Sequence, residues 1–300
     1  MALLVESPVV VGTTNVFEEG KLSVESITVN ESSSSSPPKP LLIVTPTLEG
    51  TYPVLLFFHG FLIQNKSYEE ILQHISSHGF IVVAPQLYTF ISSGTEEVDS
   101  AAEVTNWLSA GLQSTLPKNV QANLLKLALS GHSRGGKAAF ALALGHAETQ
   151  PTLKFSALIG LDPVAGSSIK GQIDPKILTF VPRSFDLSIP IAVIGTGKSP
   201  ACAPDGVNHC EFFTESKPPC YYFYAKDYGH VDMLDDPNII LRLACSGGKG
   251  DMDPFKKCVG GIFVAFLRAC LDGENEDLKS IGDEPGVAPV TLDPVIYIEA

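Results

Sequence analysis

The ten residues 127–136, Leu-Ala-Leu-Ser-Gly-His-Ser-Arg-Gly-Gly, constrain this chain more than any other stretch. They read as a short buried strand, a turn of the form G-x-S-x-G, and a helix that opens with Lys137-Ala138-Ala139-Phe140. A serine on such a turn is held up at the end of a sheet with its hydroxyl exposed. Gly131 and Gly135 lack a β-carbon, so strand and helix can close tightly around one strained residue. Two glycines and a serine are a weak pattern by themselves. The apolar strand before them and the alanine-rich run after them make Ser133 a candidate nucleophile rather than a chance match.

The flanking sequence supplies the sheet that such a turn needs. Leu22–Val29 alternates apolar and polar residues, the pattern of an antiparallel strand. Residues 31–40 are a run of serine and proline, read as a flexible, solvated loop. Leu41–Thr45 is a second strand. Val54–Phe58 is apolar throughout, as are Phe80–Pro85 and Ile191–Ile194, and Ser156–Leu161 is so after its first residue, which predicts burial on both faces. Tyr221–Tyr224 reads as the last strand. Helices are expected over Tyr68–His78, Val98–Leu112 and Phe255–Leu271. Buried strands alternating with helices imply an α/β fold: a central, mostly parallel sheet with helices on both faces. The 300 residues, 44% of them hydrophobic, suffice for a single domain of this kind over residues 1–300.

Composition also removes several functions. A formal charge of −13 repels phosphate backbones, so no nucleic-acid partner is expected. The same charge opposes electrostatic adhesion to anionic lipid. No apolar run reaches the roughly 18 residues a membrane span requires, so any membrane contact is expected to be peripheral. The N-terminal residues lack the basic-then-apolar pattern of a secretory signal. They also lack the arginine enrichment of a transit segment, since the first arginine is Arg134. The six cysteines, Cys202, Cys210, Cys220, Cys245, Cys258 and Cys270, do not form paired C-x-x-C sites. Reduced core thiols are the plainer expectation for them, with a local Cys245–Cys258 bridge as the alternative. No residue cluster has metal spacing and no phosphate loop is present. Gly195-Thr196-Gly197 lacks the rest of a dinucleotide fingerprint, so no cofactor is expected.

A serine hydroxyl is a poor nucleophile at neutral pH. It needs a base to take its proton and a third group to orient that base. In open α/β sheets such groups gather at the carboxyl ends of strands. His230, in Asp227-Tyr228-Gly229-His230, follows the last expected strand and is the candidate base; His209 is its rival. Asp162 stands directly after Leu161, with Pro163 fixing the turn, and is the preferred acid. Asp205, in a longer loop after Ile194, is the alternative. Asp186, Asp227 and Asp232 are read as solvated or structural carboxylates. The backbone N–H groups of Arg134 and Phe61 are the natural oxyanion donors. The Arg134 side chain either anchors a loop by ion pairing, the preferred reading, or meets a polar group of the substrate. Phe61, Leu62, Phe90, Ile91, Phe212 and Phe213 would suit an apolar ester, but equally suit an ordinary core.

Longer motifs narrow the reading. Ser76-Ser77-His78-Gly79-Phe80, Ala84-Pro85-Gln86-Leu87-Tyr88 and the serine turn are three of them. Ile159-Gly160-Leu161-Asp162-Pro163-Val164, Cys202-Ala203-Pro204, 208–213 (Asn-His-Cys-Glu-Phe-Phe) and Asp227–His230 are others. Together they resemble the plant chlorophyllases, α/β-hydrolases that cleave the phytyl ester of chlorophyll. The resemblance covers nearly the whole chain and implies an α/β-hydrolase fold with a triad at Ser133, Asp162 and His230. It implies chlorophyll as substrate, with magnesium belonging to the substrate and not to the protein. It also implies a chloroplast location, with cytosol or endomembrane as alternatives. A general carboxylesterase or lipase of the same fold and a non-catalytic binding protein remain the other readings.

Overall fold

The computed structural model describes residues 15–31, 36–89, 92–237, 239–248 and 251–299. Among these residues nine strands form one sheet: β1 (Val24–Val29), β2 (Leu41–Pro46), β3 (Gly50–Phe58), β4 (Ile81–Pro85), β5 (Val120–His132), β6 (Ala157–Leu161), β7 (Ile191–Thr196), β8 (Cys220–Ala225) and β9 (Val295–Ile298). Their spatial order is β1-β2-β4-β3-β5-β6-β7-β8-β9. From β4 through β8 every pair is parallel, whereas β1, β2 and β9 join antiparallel at the two edges. This is the α/β-hydrolase arrangement. The parallel centre follows from composition: β4, β6 and β7 are buried at every position and need a cover on each face.

The helices provide that cover. They are α1 (Glu69–Ser77), α2 (Gly94–Trp107), the single turn α3 (Gln113–Thr115), α4 (Arg134–Ala143), α5 (His209–Glu215), α6 (Ile239–Cys245), α7 (Asp253–Leu267) and α8 (Glu276–Asp283). Leu55, Phe57, Val82 and Ile159 point to one face, where α1 and α7 bury Ile71, Ile75, Phe263 and Phe266. Leu56, Phe58, Val83 and Leu129 point to the other, against α2, α4 and α5. Neighbours along a strand alternate between these clusters, as the two-residue period of a strand requires.

Several boundaries differ from expectation for local reasons. α2 starts four residues before Val98 because Ser93 and Glu96 form a reciprocal capping box. The helix after the serine begins at Arg134, directly against Ser133. β8 is not the last strand: β9 pairs with it near the chain's end, where Tyr297 stacks on Tyr221 at 4.2 Å. Nor does Cys245 bridge to Cys258. Its partner is Cys202, joining the segment after β7 to the end of α6, while Cys258 is a buried free thiol in α7. The spacing misled here because disulfide partners are decided by proximity in space.

The serine turn shows why glycine is needed at 135. A β-carbon there would lie 2.4 Å from the carbonyl oxygens of both Phe58 and His59, where β3 ends. These are backbone atoms of a central strand and cannot swing aside. Gly135→Ala is expected to lower stability by about 1–3 kcal/mol or more. The check is a lower urea midpoint with an unchanged m-value.

Candidate active site

Three strand ends converge above one edge of the sheet. β5 ends at His132, and Ser133 turns the chain into α4 with φ 56° and ψ −124°. β6 ends at Leu161, and Asp162 follows at φ 42°. His230 comes from the loop after β8. Such backbone values cost on the order of 1–3 kcal/mol each for non-glycine residues and persist only where the surroundings over-determine them. They do so here: Ser133 N–H donates to Leu161 O at 3.0 Å, its carbonyl accepts from Val164 at 3.1 Å, and Asp162 N–H donates to Ile194 O at 2.6 Å.

The side chains then meet in a row. Ser133 Oγ lies 2.8 Å from His230 Nε2, and His230 Nδ1 lies 2.6 Å from Asp162 Oδ2. Asp162 is fully buried. Its Oδ2 also accepts from Thr196 Oγ1 at 2.7 Å and its Oδ1 from Thr196 N–H at 2.9 Å. Burial opposes ionisation, but the His230 hydrogen bond, the electrostatic pull of the His230 and His209 imidazoles and the Thr196 hydroxyl outweigh it. They hold the carboxyl down at about 2. An ionised carboxylate only accepts, so the proton between Asp162 and His230 belongs to Nδ1. That leaves the Nε2 lone pair facing the serine hydroxyl.

The base is fixed from behind as well. His230 N–H donates to Ser199 Oγ at 2.9 Å, and Ser199 Oγ in turn donates to the Cys245 carbonyl. His132, inside the serine turn, faces the His230 carbonyl with Nε2 at 2.8 Å and the Tyr68 hydroxyl with Nδ1 at 2.8 Å. A carbonyl only accepts, so Nε2 of His132 carries its proton and Nδ1 accepts from Tyr68. The Tyr68 oxygen accepts from Gly60 N–H at 2.9 Å. One chain of hydrogen bonds therefore runs from the Gly60 turn to the backbone of the base. Burial, helped by the neighbouring His230 imidazole, pushes the His132 imidazole down to about 3, so it stays neutral.

The two oxyanion candidates directly follow Gly60 and Ser133 in the chain. Arg134 is the first residue of α4, where a helix leaves N–H groups without intrahelical acceptors. Phe61 sits in a tight turn closed by Ile63 N–H to Gly60 O at 3.2 Å. The Arg134 guanidinium anchors loops, as preferred from the sequence. It donates through Nε to buried Glu97 at 2.8 Å, pairs with the second Glu97 oxygen at 2.5 Å, and reaches the Ser92 carbonyl. It also lies 5.1 Å over the Phe61 ring and 5.6 Å over Tyr88.

The profile of the family described as chlorophyllase matches residues 12–299. The chain belongs to the chlorophyllase family. It is 50% identical to a protein named chlorophyllase-1, chloroplastic, from Citrus unshiu, over 96% of this chain and 90% of the relative. It is 48% identical to chlorophyllase-1 of Arabidopsis thaliana, over 100% and 98% of the two chains. Chlorophyllase-2 of Arabidopsis thaliana is 46% identical over 90% and 92%.

Other candidates in this chlorophyllase-family chain take different places. Asp205 is exposed and accepts from Asn208 Nδ2 at 3.4 Å. His209 is buried, with Nε2 3.8 Å from Asp162 Oδ1; it meets the acid, while His230 meets the serine. Asp232 is a structural carboxylate accepting from Gly229 and Gly248 N–H, both at 2.6 Å. Phe61 and Leu62 are exposed, Leu62 with φ 56°. Phe212 is not available to a substrate: it is fully buried between Phe140 and Phe185. Phe213 also departs from the apolar-pocket reading. It stacks on Tyr222 and lies under Arg183, which bonds Ser216 O just after α5 and meets Cys220 Sγ at the start of β8, the sheet end opposite Ser133. The reason is direction: α5 runs down from the site, carrying its later residues away. Phe90 and Ile91 lie outside the described residues. Thr196, Ser199, Tyr68 and Glu97 were missed. Thr196 ends β7, so the strand-end signal that singled out Asp162 applied to it too; the others have no local signature.

Because His132 is neutral when folded and ordinary when unfolded, the unfolded chain binds more protons below pH 6.5. Its contribution to stability is therefore present at neutral pH and lost as pH falls from 6.5 toward 3. The stability difference between wild type and His132→Gln is expected to be about 1.4 kcal/mol smaller at pH 5.5 than at pH 7.5. Paired urea titrations at those two pH values check it.

Proposed function

We propose that this chain is a serine esterase that hydrolyses the phytyl ester of chlorophyll to chlorophyllide and phytol. The observation that carries the reading is the Ser133–His230–Asp162 row, at 2.8 and 2.6 Å, in a chlorophyllase-family chain. In this reading Ser133 Oγ attacks the propionate ester carbonyl while His230 Nε2 takes the hydroxyl proton. Asp162 holds the resulting imidazolium. The oxyanion accepts from the N–H groups of Phe61 and Arg134, each donor worth on the order of 10²–10³ in rate. The C–O bond to phytol breaks, and His230 returns its proton to the leaving oxygen. Water, deprotonated by His230, then attacks the acyl-enzyme, releasing the chlorophyllide carboxylate and restoring Ser133.

The relatives from Citrus unshiu and Citrus sinensis are named chloroplastic, which supports a chloroplast location. No helix among the described residues is long and apolar enough to cross a membrane. Phe61 and Leu62, exposed in the turn after Gly60, suit an apolar substrate and a peripheral membrane contact.

Purified chlorophyll is the deciding substrate. Wild type is expected to release phytol, and Ser133→Ala to lose at least about 10⁴-fold in kcat. Turnover of short nitrophenyl esters without phytol release would move the reading to a general carboxylesterase. Absence of fluorophosphonate labelling at Ser133 would remove enzymatic function altogether. Asp162→Asn is expected to lower kcat by about 10⁴-fold, and Asp205→Asn by less than about twofold; the same chlorophyll assay with both variants checks the acid, and the reverse order overturns it.

A further inference from the structure

His209 is a buried titratable side chain that the mechanism above does not use. It is 3% exposed and begins α5, where Asn208 and Glu211 form a reciprocal capping box that fixes the helix start. Its ring is seated with unusual closeness: a β-carbon at Gly195 would lie 2.4 Å from Nδ1, so only glycine leaves room for the imidazole. Nδ1 lies 2.8 Å from the Tyr222 hydroxyl and 3.5 Å from Cys210 Sγ. Nε2 lies 3.2 Å from the Thr196 carbonyl and 3.8 Å from Asp162 Oδ1. The carbonyl accepts only, so Nε2 carries a proton and donates toward Thr196.

Thr196 is the residue on which the acid depends. Its N–H binds one Asp162 oxygen and its hydroxyl the other. Without the Thr196 pair, the fully buried carboxylate would retain, among the described residues, the His230 hydrogen bond as its short contact and could rotate about its own axis. The Thr196 peptide therefore sets the plane of the carboxylate, and His209 holds that peptide from its carbonyl side. Burial opposes a charge on His209, but the Cys210 contact and the Asp162 carboxylate prevail and raise its affinity for a proton. The proton on Nε2 is in place in either charge state.

We infer that His209 is a positioning residue for the reaction, acting through the Thr196 peptide to hold Asp162 in the plane from which it orients His230. This rests on Asp162 being the triad acid, as proposed above. It touches neither substrate nor serine. Its action is to keep the Nε2 lone pair of His230 aimed at Ser133 during proton transfer, so its loss should appear in kcat and leave KM nearly unchanged.

Two amide substitutions separate this from a packing role. The Gln amide nitrogen reaches the place of Nε2, whereas the Asn amide reaches only that of Nδ1. His209→Asn is expected to keep the Tyr222 contact, lose the Thr196 contact, and lower kcat by about 10–100-fold. His209→Gln is expected to recover most of that loss. The rate of fluorophosphonate labelling at Ser133, which needs no chlorophyll, should follow the same order. The far-downfield proton resonance of His230 Nδ1–H should broaden or shift in the Asn variant and return in the Gln variant, with circular dichroism unchanged in both. Equal rates and an unchanged resonance in the Asn variant overturn the inference while leaving the esterase reading intact. Equal losses in both variants overturn it too, since packing alone then explains them. The predicted order in labelling without any phytol release overturns the substrate and leaves the positioning role standing. Wild-type labelling in Asp162→Asn removes the acid assignment on which the inference rests.

Discussion

A carboxylate with no exposure to water organises the upper edge of this molecule. Taking an ionised group out of solvent costs several kcal/mol even after relaxation, and the cost is offset only when its oxygens are matched by donors. Asp162 is matched by two donors from Thr196 and one from His230. That demand brings three strand ends to one point: β6 supplies the acid, β7 the threonine, and the loop after β8 the imidazole. A change that leaves Asp162 ionised but unmatched strands a charge in the core, so the requirement for folding and the requirement for chemistry coincide here.

The same edge carries strain that the surrounding packing maintains. Ser133, Asp162 and Leu62 all adopt left-handed φ values, at 56°, 42° and 56°. Ser133 and Asp162 belong to the hydrogen-bonded row with His230, and Leu62 lies in the turn after Gly60. The Tyr68–His132 relay ties the Gly60 turn to the backbone of His230, and Arg134 grips the Phe61 ring from the other side. Ser133, His230 and the Gly60 turn are therefore parts of one hydrogen-bonded body rather than three independent loops. In a low-dielectric site such a body keeps its dipoles aimed without reorganising during reaction.

How much of this was legible depended on whether the signal was local. The buried strands announce themselves, because a parallel strand covered on both faces has no room for polar alternation. Asp162 and His230 follow strands and were visible for that reason. Phe212 and Phe213 suited a pocket and an ordinary core equally, because an aromatic pair in a loop-to-helix stretch carries no sign of which way its helix runs. The Cys202–Cys245 bridge, β9 and the Arg134–Glu97 pair each join distant segments, and composition says nothing about those distances.

The residue order alone determined the layered sheet, the strained serine turn and the set of strand-end groups from which a triad must be drawn. Those follow from hydrophobic period, glycine sterics and the position of polar residues directly after apolar runs. Tertiary structure alone decided that His209 lies against the acid while His230 reaches the hydroxyl, and that Thr196 binds both oxygens of Asp162. These are matters of ångströms between segments far apart in the chain, set by how the strands register and how the helices pack. No periodicity encodes them.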